Sequence, residues 1–400
     1  MSALGNTITD VQGDRPAAAP ARPAGMALPI DVTLWLSVLG ISILSLLTID
    51  AATIDDVPGD PDYFVKRQAF FVGMGVVVAL VLSRVDYSRL RELRHGLYAV
   101  LIGGIVAVFA LGSATRGSKR AIQTPLFEIQ FSELGKILLA LVLASFLVDR
   151  ARRLKDRDTT ARAMLLALVP ASIVMAEDLG SGLVFVAIAF SVLFVAGISW
   201  RHLTALVALG AASVALVLVA APAVGVEVLK PYQQDRLTSF LHPSEDPSDA
   251  GYQQNQSRIA IGSGQKTGRG DAATQTKLNF LPEHHTDFAF AVVGERWGFA
   301  GAALVLSLYA LLIWRALRIL TVAKNLFGAL LVGGIVGMLL CQVFVNVGMN
   351  VGIMPITGIP LPLLSYGGSS VLSTFLAIGL LQSVYLQGRG AAALKGRIRT

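Results

Sequence analysis

The run Asn279-Phe280-Leu281-Pro282-Glu283-His284-His285-Thr286-Asp287-Phe288 sets two imidazoles and two carboxylates against a long apolar stretch beginning at Ala289. Ionisable groups crowded where a chain enters a bilayer are costly, and they mark binding or catalysis. A carboxylate so placed can act as a general base or ligate a metal. Asp287 is the foremost candidate and Glu283 its neighbour in the same cluster. The plainer reading is that Asp287 caps the helix that follows.

Other polar groups interrupt apolar sequence elsewhere. In Gln130-Phe131-Ser132-Glu133-Leu134-Gly135-Lys136, Glu133 and Lys136 stand three apart at a helix start, so they share a face and can pair. Glu177-Asp178-Leu179-Gly180 reads as an acidic turn, or a break, between spans, with a helix cap as the simple alternative. Arg236, His242-Pro243 and the glycines of 256–264 and 268–270 lie in one long connection. Those glycines resemble a phosphate-cradling turn, but without a strand–helix context they read as turn positions of positive φ. Between Asn346 and Ser370, prolines 355, 360 and 362 and the Gly367-Gly368 pair require non-helical backbone at membrane depth. Such backbone is tolerated only inside protein or along a cavity, so this is a re-entrant segment beside the site, with Ser365 in it.

The elements that must position these groups are membrane helices. The chain is 54% hydrophobic and 15% charged, with mean hydropathy +0.65, whereas soluble domains carry about a quarter charged residues. An all-α polytopic membrane protein is expected, with apolar runs near 29–48, 68–83, 97–112, 134–148, 162–177, 180–197, 202–223, 288–314, 326–350 and 368–387. That makes about ten spans, each near the length needed to cross the hydrocarbon core. One large outer loop, about 225–286, falls between spans seven and eight. Residues 1–27, rich in Ala, Pro and Gly, read as a disordered tail, and 389–400 as a basic tail. The first apolar run lacks a convincing small-residue cleavage site, so no cleavable signal is expected. Short connections alternate in charge, with arginines at 84, 89, 91 and 94, then at 150, 152, 153 and 157, then at 315 and 318. The positive-inside rule puts both termini in the cytoplasm and the large loop outside. Arg116, Lys119 and Arg120 break the pattern on the outer side, where they can bind an anionic group or lipid headgroups. The net charge of +7 gathers in these loops and forms no aromatic-interleaved groove, so nucleic acid is not a partner. Cys341, the one cysteine, lies in an apolar run and supports neither disulfide nor cysteine metal chemistry.

Three strings, Gln256–Gly264, Leu281–Phe288 and Gly358–Ser370, closely resemble the shape, elongation, division and sporulation (SEDS) family that includes RodA and FtsW. The resemblance runs from about residue 30 through the transmembrane domain, 28–388, and is nearer the RodA elongation branch. Its patterns, Leu-Pro-Glu-x-His-Thr-Asp-Phe and Gly-Ile-Pro-Leu-Pro-x-x-Ser-Tyr-Gly-Gly-Ser-Ser, are specific. Carried over by motif, the family's essential outer-loop aspartate falls on Asp287. Its Gln-Pro-Ser-Glu-x-x-Lys motif falls on Gln130 to Lys136, and its Gln-Pro-Asp-Leu-Gly motif on Ala176 to Gly180. The chain departs at Phe131, where proline is usual, at Ala176-Glu177 in place of Gln-Pro, and at Ala121, where an aromatic residue follows the basic position.

The resemblance implies a peptidoglycan glycosyltransferase polymerising lipid II in the bacterial inner membrane, releasing undecaprenyl pyrophosphate. Asp287 would be general base or metal ligand. Lys119, Arg120, Lys136 and Arg236 are candidates to stabilise the leaving pyrophosphate, alone or with a divalent cation, Mg2+ or Mn2+. Glu133, Glu283 and Ser365 complete the expected substrate site. The implied partner is a class B penicillin-binding protein, whose single membrane helix would dock where small residues allow close approach; Gly328, Gly333, Gly334 and Gly337 offer such a face, or equally serve packing of the ninth helix inside the bundle. The alternative from another class is a lipid II flippase, since broken helices and inward charges also suit a transporter. Against it, the charged groups gather on the outer side and no inverted repeat is evident. An inactive scaffold for the penicillin-binding protein is weaker still, since a scaffold has no need of the Asp287 cluster.

Overall fold

The computed structural model describes residues 30–54, 56–115, 118–123, 128–223, 229–241, 250–277, 280–281 and 283–398. The expected N-terminal tail, Arg116, His242-Pro243, Asn279 and Pro282 lie outside the described residues, and Lys119 and Arg120 are described by their backbone alone.

Helices dominate. In chain order they are α1 (Val32–Thr53), α2 (Tyr63–Arg84), α3 (Arg94–Leu111), α4 (Phe131–Asp149), α5 (Arg157–Met175), α6 (Leu179–Val195) and α7 (Trp200–Ala215). After them come a single turn α8 (Ala221–Ala223), α9 (Pro231–Leu241), α10 (Ala250–Ser263), the short α11 (Thr274–Lys277), α12 (Ala289–Val322), α13 (Leu326–Val351) and α14 (Gly368–Ile398). Among the described residues, 9 helices are long and apolar enough to cross a membrane, and α6, with 17 residues, is a shorter apolar tenth. The expected spans thus correspond one for one with helices. The break at Glu177-Asp178 is real: Asp178 is the N-cap of α6 and accepts from the Ser181 amide at 3.2 Å.

The connection after α3 carries a small antiparallel sheet, β1 (Ser113–Thr115), β2 (Ser118–Gln123) and β3 (Glu128–Ile129), in the order β1-β2-β3. Two expectations are corrected. The stretch 256–264 is no glycine turn, because it lies mostly on α10; positive φ occurs later, at Gly268 and Gly270. The α13 glycines do not present a face to another protein. A Cβ at Gly333 would meet Val195, at Gly334 Ala140 and at Gly337 Ser191, so these glycines let α13 close on α4 and α6. Ser191 seals that contact by donating to the Gly333 carbonyl at 2.7 Å.

Capping residues set several helix starts. Asp31 caps α1 through the Leu34 amide and also meets Arg315 of α12 at 2.5 Å. Asn325 caps α13 through the Gly328 amide and accepts from the Tyr87 hydroxyl at 3.1 Å. At that same end, burial raises the Tyr87 phenol to about 12, so it is a neutral donor there.

Helix α12 is kinked at Gly298, whose φ of 65° and ψ of −157° are non-helical. The kink frees amides, and residues beyond α10 take them up. Phe299 donates to the Gln265 carbonyl at 2.8 Å and Ala300 to that of Lys266 at 3.1 Å, while Arg269 donates back to the Glu295 carbonyl at 2.9 Å. The buried Glu295 carboxylate accepts from the amides of Gln275 and Thr276 at 2.8 and 3.0 Å and from the Thr276 hydroxyl at 2.6 Å, fixing the start of α11. The long connection is therefore folded onto the top of α12.

A Cβ at Gly298 would lie 2.4 Å from the Gly268 nitrogen and 2.7 Å from the Gly264 oxygen, both backbone atoms that cannot swing aside. Gly298→Ala should lower stability by about 1–3 kcal/mol through overpacking, read as a reduced melting temperature in detergent. Gly210→Ala on α7, where a Cβ meets nothing within 4 Å, should leave it unchanged.

Candidate functional site

The described residues of five connections, those after α1, α3, α5, α7 and α13, share one end of the bundle, and side chains tie them together. Lys230 donates to Glu177 at 2.7 Å, and Gln233 to the Met175 carbonyl at 3.2 Å. Gln254 of α10 donates to the Met354 carbonyl at 2.9 Å, and the Tyr366 amide to the His285 carbonyl at 2.8 Å. Ser369 accepts from the Gln130 amide at 3.1 Å and donates to the Glu128 carbonyl at 2.7 Å. Among the sequence-predicted residues, Asp287 and Glu283 lie at this convergence.

Asp287 ends the turn that leads into α12, and its side chain is half-buried. The N-cap position is Phe288, without a capping side chain, and the amide of Ala291 reaches the Asn350 Oδ1 at 3.1 Å. The turn is held from α13 by two fully buried asparagines one helical turn apart. Asn346 and Asn350 each donate from Nδ2 to the Asp287 carbonyl, at 3.0 and 3.2 Å. Asn346 also donates to the Ile359 carbonyl at 2.8 Å, and Asn350 accepts from Ser257 of α10 at 3.3 Å. One polar node thus fixes α10, α12, α13 and the non-helical 352–367 segment relative to Asp287. Glu283 starts the turn with a positive φ of 58°, and its carboxylate accepts from the Thr286 hydroxyl at 2.7 Å.

Beside this turn, His284 Nε2 lies 3.1 Å from Asp56 Oδ2, and His285 Nδ1 lies 3.9 Å from the same oxygen. Phe64 of α2 packs against the rings of His285 and Tyr366, with centroids 4.8 and 5.1 Å away.

The remaining expected residues divide. Glu133 and Lys136 pair as foreseen, at 2.7 Å, but both side chains are 1% exposed, and Ser373 of α14 donates to Glu133 at 3.4 Å. The pair therefore sits inside the bundle. Ser365 is also interior: its hydroxyl oxygen accepts from the Leu361 amide at 2.9 Å, and its carbonyl accepts from the buried Gln68 at 3.2 Å. Arg236 lies on α9 with a half-buried side chain, and Lys119 and Arg120 fall on β2. The departures from the expected motifs bring their own partners. The Phe131 ring fills the space that Gly104 leaves on α3, and Glu177 pairs with Lys230.

The sequence profile of the cell cycle protein family FtsW/RodA/SpoVE matches residues 28–389. The chain belongs to this family. Among its relatives, the probable peptidoglycan glycosyltransferase FtsW of Thioalkalivibrio sulfidiphilus is 37% identical over 98% of each chain. The peptidoglycan glycosyltransferase MrdB of Escherichia coli is 36% identical over 89% of this chain and 93% of its own. Among solved structures, a chain from work on the structural coordination of polymerization and crosslinking by a peptidoglycan synthase complex superposes with a TM-score of 0.75. It is 32% identical, over 90% of this chain and 98% of that one. The rod shape determining protein RodA of Thermus thermophilus gives 0.65 at 29% identity, over 91% and 98%. FtsW and MrdB stand at nearly equal identity, so the comparisons support the family without separating its branches.

Sequence reasoning missed Asp56, Gln68, Glu295, Asn350 and the part Asn346 plays. A signal was available for the asparagines: two amides at i and i+4 in an otherwise apolar span are expensive unless both are satisfied. Asn350→Ala removes donors from the Asp287 carbonyl and an acceptor from Ala291. It should cost about 1–3 kcal/mol and raise amide exchange across 286–291, measured by hydrogen–deuterium exchange. Unchanged protection there would mean that the turn does not depend on this node.

Proposed function

We propose that this protein polymerises peptidoglycan glycan strands from lipid II at the outer face of a bacterial inner membrane, with Asp287 as general base. The observation that carries the reading is the fixing of Asp287 by its own carbonyl to two buried asparagines, at the end of the bundle where five connections converge. Holding the turn by its backbone fixes the position of the carboxylate, and positioning is what general base catalysis requires. Relatives named as peptidoglycan glycosyltransferases supply the reaction class.

In the proposed step the 4-hydroxyl of one sugar attacks the anomeric carbon of another lipid-linked chain. Asp287 takes the hydroxyl proton as the new C–O bond forms. The anomeric C–O bond to phosphate breaks, and undecaprenyl pyrophosphate departs with the electron pair. Lys119, Arg120 and Arg236 belong to connections at this end and are the proposed counter-charges for the pyrophosphate. Glu283 is proposed to shape the turn through Thr286. For Glu133, Lys136 and Ser365, whose partners lie within the bundle, the proposed role narrows to positioning. The activity is the one shared by both branches, and assignment to elongation extends it by resemblance to RodA. A class B penicillin-binding protein is the proposed partner, consistent with a structural neighbour from a complex that couples polymerization to crosslinking.

Asp287→Asn keeps size and hydrogen bonding and removes the charge. With lipid II in detergent and the partner present, polymerisation should fall by roughly 10²–10⁴-fold in a protein that still folds, with a smaller loss for Glu283→Gln. Near-normal synthesis by a folded Asp287→Asn protein would falsify the base assignment. Detergent leaves no membrane to flip across, so strands formed by the unaltered protein exclude a pure flippase. Absence of product even with the partner would sink the polymerase reading.

The proposed orientation puts both termini in the cytoplasm, since the arginines at 84–94 and 150–157 cluster at the end opposite Asp287. In a Cys341→Ser background, Ile259→Cys, at an exposed position of α10, should react with an impermeant thiol reagent in intact cells, while Arg153→Cys should not. The reverse pattern would refute the orientation.

A further inference from the structure

We propose that Asp56, His284 and His285 form a binding site for a divalent transition-metal cation, Zn2+ or, more weakly, Mn2+, that ties the α1–α2 connection to the Asp287 turn. The proposal concerns binding alone and stands whether or not the protein polymerises glycan.

The geometry comes first. One donor atom from each of the three residues lies within 4.8 Å of the others, and the two contacts to Asp56 Oδ2 measure 3.1 and 3.9 Å. An ion about 2.1 Å from each donor sets neighbouring donors about 3.0–3.4 Å apart and opposite donors about 4.2 Å apart. The 3.1 Å contact matches the spacing of neighbouring donors, and the 3.9 Å contact lies between the neighbouring and the opposite spacing. At 3.9 Å the second contact is too long for a hydrogen bond.

The second observation is the other face of His284. Its Nδ1 lies 3.0 Å from the Leu281 carbonyl, which can only accept, so Nδ1 carries a proton. In the neutral ring, Nε2 then presents its lone pair to Asp56. A ligating imidazole with its remaining N–H on a backbone carbonyl is the usual outer-shell arrangement at metal sites. His284 is buried, and the His285 ring packs against Phe64 and Tyr366.

The donor set selects the ion. Two imidazoles and one carboxylate suit Zn2+ or Fe2+ best; Mn2+, which favours oxygen, should bind more weakly, and Mg2+ and Ca2+, which take oxygen ligands, weaker still. His284 occupies the open x position of Leu-Pro-Glu-x-His-Thr-Asp-Phe, and Asp56 lies outside all the recognised motifs. The family pattern therefore does not imply this site. Its position gives it a consequence: His285 is two residues from Asp287, and its carbonyl accepts from Tyr366. A bound ion would clamp α1, α2 and the 352–367 segment around the turn.

The full-length protein, purified in detergent and stripped with chelator, is titrated with Zn2+, Mn2+ and Mg2+ by calorimetry and thermal melting. One equivalent of Zn2+ or Mn2+ should bind and raise the melting temperature, with Mg2+ much weaker. His284→Gln and Asp56→Asn should each lower affinity by about 100-fold or more, while Asp60→Asn, in the same connection, should not. Pulsed EPR of the unaltered Mn2+-loaded protein needs no variant and should show coupling to histidine nitrogen. Failure of the unaltered protein to bind either ion would make the cluster a histidine–aspartate ion pair and overturn the proposal. So would binding without nitrogen coupling, or binding unaffected in folded His284→Gln and Asp56→Asn.

Discussion

The structure around Asp287 depends on two amide side chains that have no access to water. Asn346 and Asn350 are fully buried in α13, and between them they reach the Asp287 and Ile359 carbonyls, the Ala291 amide and Ser257. In a low-dielectric interior such hydrogen bonds are strong when complete and costly when broken. Satisfying both amides therefore admits few arrangements of the surrounding elements. That constraint makes the entrance turn of α12 a fixed object rather than a loop.

A second constraint lies at the kink of α12. A long helix interrupted inside a membrane protein must return its freed amides to some acceptor. Here Gln265 and Lys266 supply the carbonyls, and Glu295 takes the start of α11 with its carboxylate. The same contacts that repair the helix also dock the long connection onto it. Kink and loop are thus one structural device, and both keep the site end closed over the bundle.

The departures from the family motifs fit this framework. An aromatic ring at position 131 would have no place beside an ordinary helix, but Gly104 on α3 provides the space. Glu177, in place of proline, acquires Lys230 from the base of α9 and so links the α5–α6 break to the long connection. These two substitutions are each matched by a residue elsewhere in the sequence, Gly104 for Phe131 and Lys230 for Glu177.

Much was legible in the chain itself. Apolar length alone gave the helices of the bundle, because lipid requires every backbone group to be satisfied within a span. The Leu281–Phe288 string pointed to Asp287, and the three-residue spacing of Glu133 and Lys136 foretold their pairing. Helix faces were not legible. Lipid and protein interior are equally apolar, so hydropathy does not tell a packed stripe from an exposed one. That is why the α13 glycines read equally as a docking face or an internal seam until the structure showed them packed within the bundle, and why helix α10 was mistaken for turns. Asp56 meeting His284, and the asparagines meeting Asp287, join positions far apart in sequence, and only the packing of the helices brings those positions together.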